Sequence, residues 1–143
     1  MRPFKIYLAG KMSGLTFEEM NGWRAEATWL LNEVLESNIK VISPCLYYNF
    51  DMDSSTYTEK EVRDFDLYQV KTSNVILVNL NFSDSVGTAI ELHMAGNEWD
   101  VPVVAFRSKS RKSHPWIDLS VTKMCESLEE AVQYIKDFYY SAW

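Results

Sequence analysis

A single α/β domain is the predicted fold class: a doubly wound, mostly parallel five-stranded sheet with helices on both faces. Three observations in this 143-residue chain predict it. Short apolar runs of strand character alternate with longer stretches whose apolar residues recur at three and four, the order that parallel strands with helical crossovers require. Three capping boxes, Thr16 with Glu19, Thr58 with Glu61 and Ser127 with Glu130, mark helix starts between those runs. With 47% hydrophobic and 14% aromatic residues the chain has material for one core, and its length sets one domain over residues 1–143.

The elements follow in order. Residues 4–9 form a strand that ends at Gly10, and the glycine-flanked loop 10–14 leads to the Thr16 cap. Phe17, Met20, Trp23, Ala27, Leu30, Leu31 and Val34 then give a helix to about residue 36 one apolar face, with Trp23 and Trp29 read as helix-packing residues. Residues 40–42 are a second strand stopped by Pro44. Segment 45–57 has no period, is aromatic and acidic, and reads as a loop beside the ligand; Tyr47, Tyr48, Phe50 and Tyr57 are its candidates for stacking a base or packing the core. The second capping box opens a helix to about residue 73, followed by a strand at 75–80 read from its apolar run and a helix at 87–99. A strand at 101–106, the basic stretch 107–112, a short strand near 121–124 and a last helix with Leu128, Ala131, Val132, Ile135, Phe138 and Tyr139 on one face complete the chain. This alternation is the Rossmann-like or flavodoxin-like pattern, in which ligands bind at strand C-terminal ends; the loops after strands one, three and four are expected to converge there.

Composition narrows the partners. Fourteen basic against 20 acidic residues give a net charge of −6, which argues against an extended nucleic-acid surface while leaving room for a small anionic ligand. The sequence has neither a membrane-length apolar run nor a signal-like N-terminus, so no membrane partner and a cytoplasmic location are expected. Cys45 and Cys125 lack metal-ligand spacing and read as reduced, partly buried thiols. No cofactor and no metal are expected; Asp64 and Asp66 fall on different helix faces, and Asp51, Asp53 and Asp84 read as solvated loop acids rather than a cation site.

The most informative stretch runs from Ser83 to Glu91. A buried strand, a small-residue turn and a helix start form a layout for anion binding, because helix N-terminal N–H groups carry partial positive charge and Ser85, Gly87 and Thr88 let a ligand approach the backbone. Glu91 lies four residues after Gly87 and returns to the same face one turn in. By itself this turn is equally an ordinary strand-to-helix connection with a helix-favouring glutamate.

Three motifs nevertheless meet at one sheet edge: Tyr7 to Gly14, Arg63-Asp64-Phe65-Asp66, and Ser85-x-Gly87-Thr88-x-x-Glu91. Together they resemble the nucleoside 2-deoxyribosyltransferase superfamily, including its 2'-deoxynucleoside 5'-monophosphate N-hydrolase branch, over residues 4 to about 117. The resemblance implies cleavage of the bond between a nucleobase and deoxyribose. Glu91 matches the nucleophile, Asp66 the acid that handles the leaving base, and Tyr7 the tyrosine that orients the nucleophile. The pairing makes chemical sense, since a glycosidic carbon with oxocarbenium character is stabilised by one carboxylate and the departing base is protonated by a second acid. The alternative for Asp66 is an i, i+3 surface pair with Arg63.

The two branches differ six residues before the glutamate. Free-nucleoside transferases commonly place an Asp there for the sugar 5'-hydroxyl, whereas Ser85 resembles the serine that donates to a 5'-phosphate in the hydrolases. Asp84, one residue earlier, keeps the transferase reading open. Gly10, Lys11 and Ser13 match the first loop, where relatives place phosphate donors. Segment 106–117, with Ser113, resembles the part that reaches a neighbouring subunit's phosphate, which together with the aromatic surplus implies a homo-oligomer of at least two copies. The basic run 107–112 also reads as a solvated loop. His93 replaces the glycine that usually follows Glu-Leu and is off the Glu91 face. A weaker resemblance to nucleotide phosphoribohydrolases covers only residues 86–91. The expected ligand is therefore a small deoxynucleotide or deoxynucleoside, its base selected by segment 45–57.

Overall fold

A computed structural model describes residues 2–46 and 57–143 of the chain. Among them, β1 (Phe4–Gly10), β2 (Ile39–Ile42), β3 (Val75–Asn79), β4 (Val103–Phe106) and β5 (Lys123–Cys125) form a five-stranded sheet in the order β2-β1-β3-β4-β5. Every neighbouring pair is parallel, so the expected mostly parallel sheet is wholly so. The crossovers are α1 (Phe17–Val34), α2 (Glu59–Lys71), α3 (Val86–His93) and a short α4 (Pro115–Asp118), with α5 (Leu128–Tyr134) closing the chain. Two of the helices, α3 and α5, run on into wider turns, Met94–Glu98 and Ile135–Tyr140.

The sheet separates two apolar layers, as the period of two along each strand requires. Ile6, Leu8, Val75, Leu77, Val104 and Phe106 face Ala27 and Leu31 of α1 and Ala131 and Val132 of α5. Tyr7, Ala9, Ile76, Val78, Val103 and Ala105 face Val70 of α2 and Leu92 of α3. All five residues of β3 are buried, which is why residues 75–78 read as a continuous apolar run.

The first two capping boxes form in full. The third forms by half: Ser127 accepts from the Glu130 N–H, but the Glu130 carboxylate takes the Glu126 N–H instead. No helix was expected at α4, which starts where Pro115 occupies its first turn and the His114 ring accepts from the Trp116 N–H at 3.1 Å. Trp29 corrects the sequence reading, being 63% exposed. The α1 stripe centres on Ala27 and Leu31, and a residue two positions on points away from it. Trp23 does pack, its ring 5.6 Å from that of Phe106. Phe17 and Phe138 also lie exposed at the ends of their stripes. Both cysteines are free and buried.

Sheet order also locates the site. From β1 the chain crosses to one side to make β2 and then back to the other to make β3, so the loops leaving β1 and β3 diverge at the switch point between them.

Candidate active site

A cleft of about 690 Å³ opens at that switch point, within the size range of small-molecule sites. Gly10 at the end of β1 and the loop to Ser13 line one wall, Asp84 to Thr88 after β3 another, and Asp66 with Leu67 of α2 a third, while Tyr7, Arg24 and Glu91 also border it. Among the described residues the loop after β4, expected to converge here, is not part of the lining, whereas Pro44 after β2 is. The switch point lies at β1 and β3, and β4 stands one strand outside it.

The Tyr7 phenol donates to Glu91 Oε2, a short bond that joins β1 to α3. Tyr7 is 1% exposed and points into the α2/α3 layer, as its position in β1 dictates. Burial, with the Glu91 and Asp66 carboxyls close by, raises its pKa well above the ordinary phenol range, so it stays a donor. Glu91 is half-buried. Burial pushes its carboxyl up to about 7; the Tyr7 hydrogen bond and the Arg24 charge pull it down, and Asp66 adds to the rise. A carboxylate poised near neutrality with one oxygen held by a phenol is suited to nucleophilic or acid–base work. Asp66 lines the same cleft, while Arg63 turns its guanidinium to Asp64 at 3.0 Å.

Around the turn after β3, Ser85 caps α3, its Oγ accepting from the Thr88 N–H at 3.2 Å. The Ser85 hydroxyl proton is left to donate elsewhere. Thr88 is 2% exposed, and its hydroxyl has no hydrogen-bond partner among the described residues. Lys11 Nζ meets Asp84 Oδ2 at 2.9 Å, so these two candidates tie the first and third loops together beside the cleft. Gly10 has a packing reason as well: a Cβ there would stand 2.9 Å from the Trp23 ring.

Other sequence-predicted residues lie elsewhere. Ser113 is apart from the cleft lining; its hydroxyl meets the Arg107 guanidinium and donates to Asp118 at 2.7 Å. His93 faces Asn97 and Glu98, away from the cleft, and Asp64 pairs with Lys60 and Arg63. Tyr57 lines a separate shallow groove with Phe65 and Tyr68. Tyr47, Tyr48, Phe50, Asp51, Asp53 and most of segment 45–57, expected to select the base, fall outside the described residues. Sequence reasoning missed Arg24. The available signal was a charged residue inside the α1 apolar stripe, one turn from Met20 and from Ala27.

A phenol–carboxyl pair facing a second acid at the switch point of a parallel sheet defines a small-molecule site of the doubly wound α/β class. No protein-family model and no curated protein matches the chain. Among solved structures it is similar to a conserved protein from Enterococcus faecalis V583, with TM-score 0.76, 19% identity, and coverage of 94% of this chain and 98% of that one. It is also similar to a 2-deoxyribosyltransferase from Bacillus psychrosaccharolyticus, described as a biocatalyst for nucleoside synthesis, with TM-score 0.69, 24% identity, and coverage of 94% and 93%. The chain therefore shares the fold of that 2-deoxyribosyltransferase over nearly its whole length. Among the described residues no helix is long and apolar enough to cross a membrane.

Proposed function

We propose that the protein is an N-glycosidase of the nucleoside 2-deoxyribosyltransferase superfamily. Its substrate is a 2'-deoxynucleoside 5'-monophosphate. The observation that carries this reading is the Tyr7 phenol on the Glu91 carboxyl, in a cleft that Asp66 also lines. With Oε2 held by Tyr7, the other Glu91 oxygen attacks C1' of the sugar. The C1'–N bond breaks, and the base leaves with the bonding pair and takes a proton from the Asp66 carboxyl. Water then attacks C1', its proton passes to Asp66, and the C1'–O bond to Glu91 breaks to regenerate the carboxylate. Free base and deoxyribose 5-phosphate are the products, and no metal or cofactor is needed for either step.

The phosphate preference rests on Ser85, Gly87 and Thr88 at the start of α3, with Gly10, Lys11 and Ser13 opposite. A second reading has its own support: Asp84 stands beside the cleft for a 5'-hydroxyl, and a solved structure of this fold is a 2-deoxyribosyltransferase. There the intermediate is resolved by a second base instead of water. The reading includes a cytoplasmic homo-oligomer of at least two copies, to which Ser113 belongs as a residue reaching a neighbour's site; Val86 of α3, Trp116 of α4 and Leu119 just after it expose apolar surface for it.

Incubating the protein with each deoxynucleotide and deoxynucleoside, with and without an added free base, and separating the products tests both readings. Base plus deoxyribose 5-phosphate supports the hydrolase and a new nucleoside the transferase. Unchanged substrates throughout would leave a nucleotide-binding domain without catalysis.

A further inference from the structure

Arg24 is the least expected side chain at this site. It is 1% exposed, yet it is a cation in the apolar stripe of α1. Among the described residues its hydrogen bonds go to backbone carbonyls: Nε to Leu8 at 3.3 Å, Nη2 to Gly10 at 3.0 Å and Nη1 to Met20 at 2.5 Å. Leu8 and Gly10 are two residues apart, so their carbonyls leave the same edge of β1. The β1–β2 ladder ends at the Tyr7↔Ile42 pair, whereas the β1–β3 ladder continues to Gly10↔Asn79. The guanidinium thus takes the place of a missing strand partner where β1 carries Tyr7 into the cleft. An amide or hydroxyl satisfies a carbonyl without the desolvation cost of an ion, so hydrogen bonding alone does not account for a buried arginine. The carboxyls that border the same cleft do: Asp66 on α2 and Glu91 on α3.

We propose that Arg24 is a positioning residue of the site, a permanent buried charge that anchors the end of β1 beneath Tyr7 and favours the ionised form of the Glu91 carboxyl on the same cleft. This deepens the glycosidase reading and rests on it for the catalytic consequence only. A carboxylate nucleophile works only in its ionised form, and burial opposes that form. Tyr7 and Arg24 supply the opposing hydrogen bond and charge, while Asp66 acts against them.

The test follows Glu91 directly, by carbon NMR titration of protein labelled at the glutamate carboxyl carbon, with Glu91→Gln assigning the resonance. Arg24→Gln keeps donors for the carbonyls, Arg24→Met keeps only bulk, and Arg24→Lys keeps charge. Whichever neutral variant folds should titrate at Glu91 more than one pH unit above wild type, and Arg24→Lys should stay within about half a unit. An unchanged midpoint in a folded neutral variant, or a rise above one unit in Arg24→Lys, overturns the proposal. The acid limb of the base-release rate should move with the midpoint. If wild type releases no base from any substrate, the functional reading fails while the NMR midpoints still decide the role of Arg24.

Discussion

Tyr7 and Glu91, from the end of β1 and the second turn of α3, share one short hydrogen bond across the switch point of the sheet. Residues 84 positions apart in sequence thereby act as one unit. Replacing Tyr7 by Phe removes the bond that pulls the Glu91 carboxyl down, so a smaller fraction is ionised at a given pH. Turnover by Tyr7→Phe should fall about tenfold or more at pH 6 and recover in part at pH 8, read from a rate–pH profile. An equal loss at both pH values would show that Tyr7 does not act through Glu91 ionisation.

Glu91→Gln should abolish base release while nucleotide binding, followed by calorimetry, persists. It should also stabilise the fold in a defined window. The folded carboxyl titrates at about 7 against an ordinary 4.5, so between those values the native state holds the proton more tightly than the unfolded chain. Stability contributed by the neutral carboxyl is fully present below 4.5 and is lost as pH rises through 7. The glutamine variant escapes that loss. Its advantage should be small at pH 5 and reach on the order of 2 kcal/mol at pH 8, visible as several degrees in Tm. A constant offset at both pH values would remove this account.

Asp66→Asn should slow ordinary substrates by orders of magnitude yet cost far less with a leaving group that departs without a proton. Comparing kcat for a natural deoxynucleotide and an activated analogue provides the check. Equal losses on both would make Asp66 structural.

Ser85→Asp separates the two substrate classes. The Ser85 hydroxyl accepts the Thr88 N–H and keeps its own proton to donate, which an ionised carboxylate lacks. A carboxylate against a phosphate dianion in a partly desolvated site costs several kcal/mol. Monophosphate turnover should collapse while free deoxynucleosides hold or improve. A wild type that already prefers free nucleosides would assign the 5'-position to Asp84 and favour base exchange.

Lys11 and Asp84 show how far the sequence reaches. Each was readable as a ligand contact in its own loop, because spacing reports what lies on one helix face or one turn. Their 2.9 Å pairing belongs to the closure of two loops far apart in sequence. Similarly, Ser113 was readable by motif as a ligand contact, yet its hydroxyl meets the Arg107 and Asp118 side chains and lies outside the cleft lining of this chain.

By itself the sequence determined the alternation of strands and helices, two full capping boxes, the buried β3 and the turn that starts α3, since these are local consequences of periodicity and cap chemistry. Only the tertiary structure decided that α1 turns Arg24 inward onto the end of β1 and that Glu91 titrates near 7. The physical reason is that burial and charge proximity are properties of packed neighbours. Tyr7, Arg24, Asp66 and Glu91 come from four elements, and only their packing around the β1–β3 switch point makes each the environment of the others.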